Sequence, residues 1–172
     1  MRGKTLLLVA AVVAAVLSLQ TTVLDRLSIV GVKPDLLLAM VVYLSLLRGP
    51  VAGVAAGFTL GLLQDAQSHH GLGLNAMAKA VVGYAISFTW EGLDRESAYT
   101  QMAVLFGAGL LHNLVFLALY SGSQLAATPG LWLRIGLPGA LYTAVAAPLL
   151  VAVLGRLFGF RMELSAASTR KR

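Results

Sequence analysis

The 172-residue chain contains no cysteine, and only 12% of its residues are charged. The first absence excludes disulfides and thiol chemistry and leaves the redox compartment unmarked. The second excludes an ordinary water-facing surface, because a soluble domain carries roughly 25% charged residues. Acidic residues are the scarcer charge, seven against thirteen Lys and Arg. Paired carboxylates suited to acid–base catalysis are lacking from the apolar segments. The length suits a single domain and leaves no room for a separate catalytic or nucleic-acid-binding module.

What the chain does have is apolar surface. Hydrophobic residues make up 58% of it and the mean hydropathy is +0.83. Its outer face is therefore expected to meet lipid. The net charge of +6 is loaded at the ends, with Arg2 and Lys4 at one and Arg156, Arg161, Arg170, Lys171 and Arg172 at the other. Cations placed so, without interleaved aromatics, read as a topology signal beside anionic lipid and not as a nucleic-acid surface.

A helix needs about 20 apolar residues to cross the roughly 30 Å hydrocarbon core. Runs at about 5–24, 72–91, 98–121 and 132–157 meet that standard. The first follows a basic Met1-Arg2-Gly3-Lys4 start but is long for a signal peptide and lacks a cleavage site, so it reads as a retained helix. Between Pro34 and Ala66 lie two shorter runs divided by Arg48-Gly49-Pro50. Gly suits the position after a helix and Pro the first residue of the next. The divider thus predicts two short helices, 34–48 and 50–66, in a tight hairpin.

The expected fold is an all-α, polytopic membrane bundle of six transmembrane helices over residues 1–164, followed by a disordered basic tail, 165–172. Six spans put nine cations inside (Arg2, Lys4, Arg48, Arg95 and the five of the tail) and three outside (Arg26, Lys33 and Arg134). Both termini are then cytoplasmic, as the positive-inside rule favours. Trp90, Tyr99, Tyr120 and Trp132 fall at helix ends, at headgroup depth. Pro138 and Pro148 are expected to bend helix 6.

Two stripes at a spacing of four stand out. Gly49, Gly53, Gly57 and Gly61, continued by Asp65, mark one face of helix 3. Such glycines suit close helix packing or a groove for a partner's helix. Ala10, Ala11, Ala14 and Ala15 form a lesser version on helix 1. The second stripe, Asn75, Lys79, Gly83 and Ser87, runs along helix 4. Lys79 lies roughly 10 Å from the outer end, where an unpaired cation costs a few kcal/mol. Pairing with Asp65 or snorkelling would relieve that cost. With His112 and Asn113 on helix 5, the residues Asp65, Asn75 and Lys79 form a candidate polar pocket in the outer half of the bundle. It suits either bonding between helices or a lipid headgroup or small ligand.

Catalytic readings are weak. Ser121-Gly122-Ser123 lacks the context of an activated serine. His69-His70 lacks the helical i, i+4 spacing of a zinc motif. No enzyme, metal or cofactor is expected.

Lys33-Pro34-Asp35 with Leu36 to Leu38, Arg48-Gly49-Pro50, Gly57-Phe58 with Gly61 and Asp65, Leu72-Gly73 with Asn75, Ala76 and Lys79, and Gly83-Tyr84 together resemble MreD, the family of bacterial rod shape-determining membrane proteins. Pro34, Asp35 and Asp65 belong to that signature. The resemblance implies a non-enzymatic scaffold of the cell-elongation complex in the inner membrane. It implies binding to the single-span protein MreC, and through it coupling of MreB to RodA, its partner transpeptidase and peptidoglycan synthesis. MreD is also similar in fold to the substrate-binding subunits of energy-coupling-factor transporters. The alternative reading is therefore a membrane-embedded substrate-binding or transport protein with an outward-facing pocket.

Overall fold

The computed structural model describes residues 13–18, 20, 34–68, 71–89, 97–121, 130 and 132–158. Among them every regular element is helical. The elements are α1 (13–18 and 20), α2 (Leu36–Arg48), α3 (Pro50–Asp65), α4 (Leu74–Ile86), α5 (Ala98–Ser121), a π-helical turn (Trp132–Gly136) and α6 (Leu137–Phe158). Ala10, Ala11, the ends of the first predicted helix, His69, His70, Trp90, the loop 91–96, Gly122, Ser123 and the tail 165–172 lie outside the described residues.

The local rules that set these boundaries are visible. Asp35 accepts a hydrogen bond from the Leu38 amide at 2.9 Å and caps α2. Gly49 ends α2 at φ 85°, a left-handed conformation open to glycine, and Pro50 opens α3. One residue thus turns the chain between two helices. Gly73, at φ 99°, does the same before α4.

Helix α4 is shorter than the sequence suggests, ending at Ile86 where the apolar run continues toward residue 91. Ser87 Oγ donates to the Tyr84 carbonyl at 2.6 Å and Thr89 Oγ1 to the Ile86 carbonyl at 2.8 Å. These side chains engage the last carbonyls and the chain leaves the helix in turns. Helix α6 also begins later than expected, because 132–136 is a π-helical turn. Pro138 therefore falls in the first turn of α6, where its missing amide costs nothing, and Pro148 alone is interior.

Helix α2 occupies the centre. Leu36 to Ala39, Val41 to Tyr43 and Ser45 are buried, which is the pattern of a helix surrounded on all sides. It touches α3, α4, α5 and α6. Tyr43 Oη donates to Gln101 Oε1 of α5 at 3.1 Å. Leu38, Val42, Val82, Ile86, Leu105, Ala108, Ala144 and Ala147 form one core cluster.

The most extensive contact joins α3 to α4. Here the two stripes of the sequence meet as the two halves of one antiparallel interface. Gly53 lies against the Gly83 backbone, Gly57 against that of Lys79 and Ala80, and Gly61 against Asn75 and Ala76. A Cβ on Gly57 would sit 2.5 Å from the Lys79 carbonyl carbon, and one on Gly61 2.5 Å from Ala76 Cα. No side chain fits. The glycine face is filled from within the chain, whereas Gly49 serves the turn.

The outward faces are apolar: Phe58 and Leu62 of α3, Met77 and Val81 of α4, and Leu141 and Val145 of α6 are exposed. Length is less uniform. Among the described residues, Tyr99–Ser121 is the one helix long and apolar enough to cross a membrane by itself. Helices α2 and α4, of 13 residues each, span about 20 Å at 1.5 Å per residue. Among the described residues, helix length and composition thus mark this one crossing, and the count of six spans rests on the sequence.

Gly57→Leu and Gly61→Leu should each destabilise the fold by about 3 kcal/mol or more. Gly107→Ala, where a Cβ meets nothing within 4 Å, should leave the melting temperature unchanged or slightly raised. Thermal unfolding of the purified variants checks this; wild-type melting of both leucine variants would contradict the backbone contact.

Candidate functional site

Helix α4 approaches α3 so closely that the Lys79 backbone lies on Gly57, and its side chain leaves toward α2 and α5. Lys79 is 0% exposed. A bare ammonium there would be strongly unfavourable, so it needs a partner of opposite charge. That partner is Asp35, whose Oδ2 meets Lys79 Nζ directly. The carboxylate thus bonds twice: Oδ1 caps α2 and Oδ2 takes the ammonium. His112 Nε2 of α5 lies 3.3 Å from the same Nζ. An ammonium can only donate, so this nitrogen accepts and the imidazole is neutral. Helix α6 joins through Thr143, whose Oγ1 accepts from the Asp35 amide at 3.0 Å and donates to the Gly139 carbonyl at 2.9 Å.

Asp65 has other work. It is buried at the end of α3, and its oxygens accept from the Gly73 amide (2.9 Å), the Asn75 amide (3.2 Å), Asn75 Nδ2 (2.8 Å) and the Ala76 amide (3.1 Å). The three backbone amides are donors that a helix N-terminus leaves unsatisfied, and the anion is favoured there by the helix dipole. With its oxygens so engaged, Asp65 is not the partner of Lys79. It closes the α3–α4 hairpin at the end opposite Gly53 and Gly83.

The five residues of the expected pocket therefore separate. Lys79 and His112 meet Asp35 at the centre, Asp65 and Asn75 form the α4 cap, and Asn113 donates from Nδ2 to the Gly136 carbonyl at 2.8 Å. Asn75, His112 and Asn113 also line a partly open cavity of about 160 Å³. Its wall includes Gln20 of α1, Gln64 of α3, Asp35, Phe116 and Thr143. Gln20, Gln64 and Thr143 were not singled out in the sequence, each being one polar residue within or beside an apolar run. In the sequence Asp35 stands out only through the family signature, although its helix-capping position beside Pro34 places it at the N-terminal end of α2. Among the described residues no three His, Cys, Asp or Glu side chains are grouped to hold a metal ion.

Removing one member of the ion pair should be far worse than removing both. Asp35→Asn, which keeps an acceptor for the cap, and Lys79→Met should each lose about 3–5 kcal/mol. The double variant should recover most of that loss. Urea or thermal unfolding of the purified proteins measures it, and a double variant no better than the worse single variant would count against a coupled pair.

No curated protein and no solved structure matches the chain. The family model described as rod shape-determining protein MreD matches residues 2–159. It covers the capped α2, the α3–α4 hairpin with its glycine face and Asp65, and the Asp35–Lys79 pair alike. The chain belongs to the MreD family of membrane proteins, which act in rod shape determination.

Proposed function

We propose that this chain is a non-enzymatic, multi-pass scaffold of the rod complex in the bacterial inner membrane, with both termini in the cytoplasm. In this reading it binds MreC, and through MreC helps couple MreB to RodA, its partner transpeptidase and peptidoglycan synthesis. The observation that carries the reading is the family match across residues 2–159.

Several features support it. Apolar side chains face outward on α3, α4 and α6, as a lipid-immersed bundle requires. Helices of about 20 Å suit a locally thinned bilayer around the protein. The central charges hold helices together, with Asp35, Lys79, His112 and Thr143 joining α2, α4, α5 and α6. Such an arrangement favours a rigid platform over a reaction centre. The glycine face of α3 is taken by α4, so a partner's span would meet other surfaces. Ala14 and Ala15 of α1 are exposed and offer small side chains for close approach.

Co-purification tests the proposal. A tagged full-length chain expressed with MreC should retain it in a fixed ratio through detergent exchange, and depletion of the chain should turn rods into rounded cells. Normal rods after depletion, with no MreC retained, would refute the scaffold; a retained ATPase module in place of MreC would support the transport reading.

A further inference from the structure

The cavity beside the ion pair holds two polar atoms that the bundle leaves unsatisfied. Gln20 Oε1 and Gln64 Oε1 are buried and, among the described residues, accept no hydrogen bond. Gln20 is only 4% exposed, and both side chains line the cavity. A buried carbonyl oxygen without a donor has lost its hydration with nothing in return. Other polar groups of the lining are engaged elsewhere: Asp35 with Leu38 and Lys79, Thr143 with Asp35 and Gly139, the Asn75 amide nitrogen with Asp65, and the Asn113 amide nitrogen with Gly136. Among the described residues of the lining, the buried atoms without a partner are therefore two acceptors, contributed by α1 and α3.

Charge and size narrow the ligand further. Asp35 is the one charged residue of the lining, and Lys79 already neutralises it. A cation or anion entering would bring an uncompensated charge into a low-dielectric site. The volume of about 160 Å³ is close to that of a protein cavity known to take benzene, a molecule of six heavy atoms. We propose that this cavity binds a small uncharged group bearing hydrogen-bond donors, of the carboxamide or polyol class, which donates to Gln20 and Gln64 while its carbon skeleton lies against Phe116. The group is either a free solute or the uncharged end of a lipid headgroup. This site is independent of the scaffold reading.

Ligand-observed saturation-transfer NMR on the purified full-length chain tests it, with acetamide and 1,2-ethanediol as uncharged probes and methylammonium and acetate as charged ones. Both uncharged probes should receive saturation from the wild-type protein. The signal should fall at least about fivefold, the equivalent of one hydrogen bond, in a Gln20→Met, Gln64→Met double variant. Without probe, that variant should melt at or above the wild-type temperature, because two unsatisfied acceptors have been removed. No transfer to either uncharged probe, preferential transfer to methylammonium or acetate, or an undiminished signal in the variant would each overturn the proposal. Native mass spectrometry of protein extracted from membranes separates the sources: a retained lipid with a hydroxylated headgroup or a retained neutral solute supports the site. A retained inorganic ion alone would overturn it.

Discussion

A lysine with no exposed surface sits in the middle of this apolar bundle, and the rest of the structure is arranged to make that tolerable. The charge of Lys79 needs a carboxylate, and two lie in the same bundle, Asp35 and Asp65. Asp65 is nearer along the chain, but its oxygens are engaged by the first amides of α4. Asp35 has one oxygen committed to capping α2 and the other free for the ammonium. The division of labour follows from geometry. One anion fixes where α4 starts, and the other fixes where α4 lies against α2.

The glycines make both arrangements possible. With no side chains at Gly53, Gly57 and Gly61, α3 and α4 meet backbone to backbone. That contact leaves no room for the Lys79 side chain on the α3 side, and it emerges toward α2 and α5. The central helix α2 is then held at its N-terminus by α4, α5 and α6 through Lys79, His112 and Thr143. A lipid solvent gives helices little hydrophobic reason to associate, so close backbone packing and polar contacts must do it. A platform tied in this way presents fixed outer surfaces, as the proposed scaffold requires.

Much of this was legible in the sequence, at the level where local rules govern. The shortage of charge indicated lipid, Gly49-Pro50 marked the turn between α2 and α3, and the run 98–121 became α5 with the same bounds. Both four-residue stripes were visible as well. Their relation was not, because spacing shows which residues share a face and not which face meets which. For the same reason the sequence offers Asp65 or snorkelling for Lys79 and not Asp35: Asp65 and Lys79 lie close in sequence, whereas Asp35 reaches Lys79 only through tertiary packing. The end of α4 depended on Ser87 and Thr89 turning back to carbonyls, a contest that an apolar run hides. Gln20 and Gln64 acquire meaning only when α1 and α3 converge on a shared cavity.

Lys79 is paired with Asp35 and not with Asp65. Solid-state NMR on the isotope-labelled chain in lipid bilayers tests it directly, through the ¹⁵N–¹³C correlation between the Lys79 ammonium and the carboxylates. A through-space cross-peak from Lys79 Nζ to Asp35 Cγ, with none to Asp65 Cγ, is the predicted result. A cross-peak to Asp65 in its place, or none to either carboxylate, would contradict the account.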